Sequence, residues 1–224
     1  MLNLAVVDDN PKWVLMAENY IKNMDDCLLT AKLNDGFDFV GWCYHNKQLP
    51  DIALVDVEMP KMDGVQLTDF LTEHFPAIKV IAVSSHTNIE PVEDMLACGA
   101  YGYVSKLYDM KNLPMGIREV ASGNVYIDPI LQLENINRTQ LMAGRKKQKQ
   151  LQDKLKLSAK QKEIIALYST TAGQKEIADA LSVSSKTVEK RVKTVSGKLK
   201  VLSRQEFTIQ SLRKGFTRLA RIFN

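Results

Sequence analysis

The first half of the chain alternates short apolar runs with amphipathic stretches. The runs are Leu2–Val7, Ile52–Val57, Ile78–Val83 and Tyr101–Val104, with a weaker one near Leu28–Leu33. Between and after them lie helix-like stretches near Pro11–Lys22, Gly36–Asn46, Val65–His74, Pro91–Cys98 and Met110–Ser122. Continuous apolar strands separated by helices of this length are the signature of βαβ units, whose parallel sheet is covered on both faces. Five such repeats predict a doubly wound five-stranded parallel-sheet domain over residues 1–123. Ligands of such sheets bind beyond the carboxyl ends of the strands.

Past Ser122-Gly123-Asn124 the pattern changes. A connection through Asp128-Pro129 leads to an expected helix near Ile130–Met142 and then to the polar basic run Arg145–Gln150. With no apolar face, that run reads as linker, and residues 124–154 are assigned to it. Residues 155–224 read as all-α. Ser158, three residues before Gln161, is a capping-box start to a helix carrying Ile164, Ile165, Leu167 and Tyr168. A second short helix, Gln174–Leu181, is followed by the turn Ser182-Val183-Ser184. Two helices so joined form a helix-turn-helix unit. The third helix, about Ser185 to Lys200, has Val188, Val192, Val195 and Leu199 on one stripe and Lys186, Lys190 and Lys193 on the other face.

Composition changes this picture little, but charge changes it a good deal. The 224 residues are 45% hydrophobic and 25% charged, an ordinary globular balance. No apolar stretch approaches the roughly 18 residues of a membrane span. The N-terminal segment reaches Asp8-Asp9 too early, and with no basic residues ahead of it, for a signal peptide. Cys27, Cys43 and Cys98 fit neither a disulfide framework nor a zinc spacing. A cytoplasmic location is the expectation. Residues 1–141 carry 10 basic and 20 acidic side chains, whereas residues 142–224 carry 20 and 6. An acidic module is thus joined to a basic one, and the basic one is suited to a polyanion. The plainer alternative is two solvated surfaces that attract each other.

Candidate chemistry collects at the predicted strand ends. Asp8-Asp9 follows the first run, Asp56 closes the third, Ser84-Ser85 closes the fourth and Lys106 follows the fifth. In a parallel sheet all of these lie at one edge. Carboxylates gathered there repel one another unless a cation sits among them, and Mg²⁺ is the natural oxygen-seeking choice. One carboxylate can then act as nucleophile toward a phosphoryl donor, with an ammonium and a hydroxyl to hold the transferred oxygens. Taken singly, each residue has a structural reading as helix cap, turn former or solvated cation.

Asp8-Asp9, Asp56-Val57-Glu58-Met59-Pro60-Lys61-Met62-Asp63-Gly64, Val83-Ser84-Ser85 and Gly102-Tyr103-Val104-Ser105-Lys106 together resemble the receiver domain of bacterial response regulators, a flavodoxin-like fold. The resemblance implies that Asp56 accepts the phosphoryl group. It further implies that Asp9 ligates Mg²⁺ directly, Asp8 through water, and Glu58 through its backbone carbonyl. Ser84 and Lys106 would bind the phosphoryl group, with Tyr103 the aromatic that turns inward in response. Two positions depart from the pattern: Leu107 stands where a proline in cis linkage is common, and Ser85 where a small residue such as alanine is common. Glu58 and His86 occupy positions that tune the lifetime of the acyl phosphate in the family.

The basic half carries its own resemblance. Leu157-Ser158, Glu163-Ile164-Ile165, Lys175-Glu176-Ile177-Ala178, Leu181, Val183-Ser184, Thr187-Val188, Lys198-Leu199, Val201 and Ser203-Arg204 look like the LuxR-type helix-turn-helix. It departs at Lys160-Gln161 and Thr171, neither on the recognition face. Receiver followed by this module is the arrangement of NarL/FixJ response regulators. The expected groove contacts are Lys186, Thr187, Lys190 and Lys193, with Arg191 and Lys198 on the phosphate backbone. The resemblance implies a histidine kinase as phosphodonor, double-stranded DNA as ligand, a homodimer when phosphorylated, and no membrane partner. The expected fold is therefore α/β plus all-α: a five-stranded receiver, then a four-helix DNA-binding domain.

Two other readings remain at this point. A receiver-like domain that no longer takes phosphate could regulate by dimerisation alone. A phosphatase working through an aspartyl phosphate would also collect acids, Ser and Lys at strand ends. Such enzymes place an acid two residues after the nucleophile, where Glu58 stands, but nothing in the sequence supplies a substrate cap. The expected role is regulatory, not enzymatic. The stretch after Arg204, with Phe207, Leu212, Phe216, Leu219 and Phe223 among basic residues, reads as a last bundle helix with an extended tail. A helix lying on a membrane surface is the other reading of it.

Overall fold

The computed structural model describes residues 1–85, 89–131, 143, 157–213 and 216. Strands β1 (Leu2–Val7), β2 (Cys27–Leu33), β3 (Ile52–Asp56), β4 (Lys79–Ser84), β5 (Gly102–Ser105) and β6 (Tyr126–Ile127) form one sheet in the order β2-β1-β3-β4-β5-β6. All the pairings are parallel. The connecting helices are α1 (Pro11–Lys22), α2 (Gly36–His45), α3 (Gly64–His74), α4 (Ile89–Cys98) and α5 (Leu113–Ala121). The chain winds outward from β1 to β2, then crosses back to β3, so strand order reverses between β1 and β3. At such a switch point the loops diverge and leave a crevice.

Local chemistry explains the element boundaries. Asn10 caps α1 by accepting from the Lys12 N–H at 3.1 Å, and Pro11 occupies the first helical position, where no donor is lost. Asp63 and Gln66 form a reciprocal capping box that starts α3 immediately after the Asp56 loop. Strand β3 is buried throughout, as expected of a central strand covered on both faces.

The structure corrects two expectations in this half. The sheet has six strands, not five. The extra one, Tyr126–Ile127, is only two residues long, too short for any periodicity to show. It pairs with Gly102 and Tyr103 of β5, and a Cβ at Gly102 would come within 2.9 Å of the Tyr126 carbonyl oxygen, so glycine permits the approach. The helix expected from Met110 starts later. A 3-10 turn spans Leu107–Met110, Met110 takes φ 52°, and α5 begins at Leu113 with Pro114 in its first turn. A left-handed residue cannot continue a right-handed helix. Of the helix expected near Ile130–Met142, Pro129–Leu131 is a 3-10 turn, and the remainder lies outside the described residues together with the basic run Arg145–Gln150.

The C-terminal half contains α6 (Ala159–Tyr168), α7 (Gln174–Ala180), α8 (Ser185–Leu199) and α9 (Arg204–Arg213). Ser158 and Gln161 make the expected capping box, and Ser184 caps α8 by accepting from the Thr187 N–H at 3.1 Å. Helix α8 ends at Lys200 in the left-handed conformation, φ 59°. Its core side packs Val195 and Leu199 with Ile165, Val201 and Phe207. Arg204 ties α9 to the end of α6. It stacks 4.5 Å from the Tyr168 ring centroid and donates to the carbonyls of Tyr168 (3.2 Å), Thr170 (2.8 Å) and Ala172.

The halves meet along α2 and α3 of the first and α6 and α7 of the second. Tyr44 donates its phenolic proton to Glu163, His45 Nε2 lies 3.1 Å from Ser182 Oγ, and Lys162 pairs with Glu73 at 3.4 Å. Phe207 is fully buried, with its ring edge-on to Tyr168 at 5.1 Å. Phe207→Ala is expected to destabilise the C-terminal half by about 3–5 kcal/mol while leaving the sheet domain intact. Urea unfolding followed by circular dichroism should then resolve an early transition, whereas one unshifted transition would remove Phe207 from the core.

Candidate functional site

The carboxyl ends of β1, β3, β4 and β5 bring the predicted residues together. Asp8 and Asp9 follow β1 directly, Asp56 is the last residue of β3, Ser84 ends β4, and Lys106 follows β5. One carboxylate oxygen from each of Asp8, Asp9 and Asp56 lies within 4.8 Å of the others. Asp8 and Asp56 are buried and Asp9 is exposed. The Lys106 ammonium sits between two of these acids, 2.7 Å from Asp8 Oδ2 and 3.0 Å from Asp56 Oδ1. Its side chain is only 4% exposed, so the pairing is nearly dry. Lys106 alone leaves the cluster net negative. Hard oxygen donors at this separation, open to solvent on the Asp9 side, fit a divalent cation such as Mg²⁺.

Backbone contacts fix the acids. Asp56 Oδ1 accepts from its neighbour Val57 N–H at 2.9 Å, and Asp8 Oδ1 accepts from Asn10 N–H at 2.9 Å. The Gly64 N–H closes the loop onto the Val57 carbonyl at 2.9 Å, and a Cβ at Gly64 would lie 2.2 Å from the Asp56 carbonyl oxygen. Glycine is required there. Glu58 is half-buried in this loop, directly after Val57.

Ser84 and Tyr103 are coupled through the main chain. The buried Tyr103 phenol donates to the Ser84 carbonyl at 3.3 Å, and the Lys106 N–H donates to the same carbonyl at 2.8 Å. Tyr103 thus already sits inward. Burial pushes its phenol up to about 12, eased by a hydrogen bond with Ser105 and reinforced by nearby Asp128. Leu107, where a cis proline was a family expectation, is reached through a trans bond, as are all described residues. His86 lies outside the described residues.

Sequence reasoning missed one neighbour of the site. The Trp13 ring, in the first turn of α1, lies 5.7 Å from the Lys106 ammonium, a cation–π contact. Its place four residues after Asp9, on the helix leaving the same strand end, is the signal that could have found it.

The second group of predicted residues lines α8. Lys186, Lys190 and Lys193 are exposed on one face, and Thr187 is half-buried with its hydroxyl 2.9 Å from Ser184 Oγ. Val188 and Val195 are buried on the other face. Arg191 and Lys198 differ from the rest. The Arg191 guanidinium lies 3.6 Å from Glu163 Oε2, and Lys198 Nζ donates to Gln161 Oε1 at 3.0 Å. Both are turned toward α6.

Asp56 has the most consequential electrostatics. Burial, against the pull of Lys106 and with the push of Asp8, raises its pKa from 3.8 to about 6. The folded chain therefore holds a proton more readily than the unfolded chain, and stability falls as pH rises through about 6. Without divalent cation, Asp56→Asn should be more stable than wild type at pH 7 by about 1–3 kcal/mol. The difference should shrink toward zero below the ordinary carboxylate range. Chemical denaturation across that pH series checks it, and a pH-independent difference would mean that ionised Asp56 carries no folding penalty.

Comparison with known proteins agrees with this geometry. Residues 4–118 match the response regulator receiver domain, and residues 155–210 match the LuxR family of bacterial regulatory proteins. The oxygen regulatory protein NreC of Staphylococcus epidermidis is 30% identical over 95% of this chain and 98% of its own. The transcriptional regulatory protein DegU of Brevibacillus brevis is 28% identical over 97% of this chain and 96% of its own. Among solved structures, RcsB of Salmonella enterica serovar Typhimurium bound to a promoter shares the fold. It matches with a TM-score of 0.54 and 19% identity, over 96% of this chain and 98% of that one. Among the described residues no helix is long and apolar enough to cross a membrane. With an acidic strand-end cluster in one matched half and a lysine-faced helix in the other, the chain belongs to the NarL/FixJ family of response regulators, a receiver domain joined to a LuxR-type helix-turn-helix.

Proposed function

We propose that this chain is a phosphorylation-controlled DNA-binding transcriptional regulator, whose receiver accepts a phosphoryl group on Asp56 from a histidine kinase. The observation that carries the reading is the buried Lys106 ammonium held between Asp8 and Asp56, beside the exposed Asp9. Receiver 1–123, connection 124–154 and DNA-binding domain 155–224 are the proposed divisions, with β6 lent to the sheet by the connection. The expected role is regulation without catalytic turnover of a substrate, in the cytoplasm.

The chemistry follows from the side chains. An Asp56 oxygen attacks phosphorus as the bond to the donor's leaving group breaks, giving an acyl phosphate. Asp8, Asp9, Asp56 and the Glu58 carbonyl would hold Mg²⁺, which neutralises the gathered negative charge. Lys106 loses its contact with the free carboxylate and pairs with a phosphoryl oxygen. The Ser84 hydroxyl turns to bind another. Because Tyr103 and Lys106 both bond the Ser84 carbonyl, movement there reaches both. Phosphorylation adds about −1.5 to −2 charge to the site.

In the DNA-binding half, Lys186, Thr187, Lys190 and Lys193 are proposed to enter the major groove, as a dimer on paired half-sites. Arg191 and Lys198 are proposed as phosphate-backbone contacts, which requires that they leave Glu163 and Gln161.

Acetyl phosphate with Mg²⁺ should give a single phosphoryl adduct by intact mass, lost in Asp56→Ala and on chelation. No adduct on folded wild-type protein would leave the receiver phosphate-independent. DNA affinity should fall steeply with salt, and Lys190→Ala should lower the slope of log affinity against log salt by about 1. A titration series in increasing salt measures both, and a salt-independent complex would remove the electrostatic basis of DNA binding.

A further inference from the structure

Asp128 stands where the chain leaves the sheet, between β6 and the 3-10 turn Pro129–Leu131, and it is buried. A buried carboxylate is costly unless donors surround it. Here three do. Ser105 N–H donates to Oδ2 at 3.1 Å, while Asn112 Nδ2 and Ile130 N–H donate to Oδ1 at 3.0 and 3.1 Å. The Asp128 N–H in turn donates to the Tyr103 carbonyl at 3.0 Å.

The Ile130 bond alone would be a local turn, the usual role of an aspartate before a proline. The other two reach back 23 and 16 residues, to the end of β5 and to the residue before α5. Ser105 immediately precedes Lys106, and its hydroxyl accepts from the Leu107 N–H at 3.1 Å. Asp128 therefore grips the strand end that carries Tyr103 on one side and Lys106 on the other. The same carboxylate grips the first residues of the connection toward the DNA-binding half.

We propose that Asp128 is a positioning residue that fastens the start of the interdomain connection to the Tyr103–Ser105–Lys106 strand end, so that a change at Asp56 passes to the DNA-binding half through it. The proposal rests on the phosphoryl-acceptor reading above. In the chain of contacts, Ser84 holds Tyr103 and the Lys106 backbone, Ser105 sits between them, and Asp128 joins Ser105 to Ile130. Of the direct contacts between the halves, that of Tyr44 with Glu163 is a competing route, because Glu163 also pairs with Arg191 of α8.

Asp128→Asn separates the two. With its amide oxygen at the Oδ1 position it keeps the Asn112 and Ile130 bonds but points an N–H at the Ser105 N–H, so the grip on the strand end is lost. The experiment is hydrogen–deuterium exchange on the full chain with and without beryllofluoride and Mg²⁺, in wild type, Asp128→Asn, Asn112→Ala and Tyr44→Phe. In wild type, peptides covering residues 56–64 and 102–107 should change exchange, and so should peptides within residues 157–213. In Asp128→Asn the first response should persist and the second should fall several-fold. Asn112→Ala, which keeps the Ser105 bond, should weaken the distant response less, and it carries the test if Asp128→Asn does not fold.

An unchanged distant response in Asp128→Asn, or in Asn112→Ala where only that variant folds, overturns the proposal. Its loss in Tyr44→Phe alone assigns the coupling to the α2–α6 contact and overturns it equally. A wild-type response confined to the site overturns the proposal while leaving the acceptor reading intact. No wild-type response anywhere sinks that reading, and the proposal with it.

Discussion

Three carboxylates at one end of a parallel sheet are the constraint on which the rest of this molecule depends. Like charges gathered within 4.8 Å of one another, two of them buried, destabilise the fold unless cations offset them. Lys106 supplies one, from the neighbouring strand end, and its 2.7 and 3.0 Å contacts set the position of the loop that carries it. The deficit that remains is what suits the site to a divalent cation and to phosphoryl chemistry. At Asp56 burial outweighs the ammonium beside it, which is why its pKa rises to about 6.

The site is also wired to what surrounds it. A single main-chain carbonyl, that of Ser84, accepts from both the Tyr103 phenol and the Lys106 N–H, so strand β4 cannot shift without disturbing β5. Trp13 reaches Lys106 from α1, its ring 5.7 Å from the ammonium. On the proposed reading, a phosphoryl group on Asp56 would draw Lys106 from its present partners and so rearrange this set of contacts. The side chains of β3 and nearly all of β4 are buried, and a close-packed interior has little room for gradual displacement.

The C-terminal half has the opposite electrostatic character and a different organising contact. Arg204 satisfies the carbonyls that end α6 and anchors α9 against Tyr168, which holds the bundle around Phe207. Helix α8 is then free to present Lys186, Lys190 and Lys193 outward while its valines face inward. Glu163 links the two halves. It accepts from Tyr44 of the receiver and pairs with Arg191 of α8, so one carboxylate serves a group from each half.

What the sequence by itself determined is what local spacing encodes. Unbroken apolar runs between amphipathic stretches specify a parallel sheet, and acids, Ser and Lys at the run ends specify the edge at which they gather. Valines four and three apart on α8 put the lysines on the outer face, and Ser158 and Ser184 mark helix starts by capping chemistry that needs only near neighbours. Tertiary structure decided the remainder. A two-residue strand has no period to read, so β6 exists only because Gly102 lets Tyr126 approach. Arg191 and Lys198 look like free cations on a helical wheel, yet α6 packs close enough for Glu163 and Gln161 to engage them. Asp128 reads as a turn residue beside a proline until folding brings Ser105 and Asn112 to its carboxylate. Each of these depends on distance between residues far apart in sequence, which the packing of whole elements sets and no local pattern records.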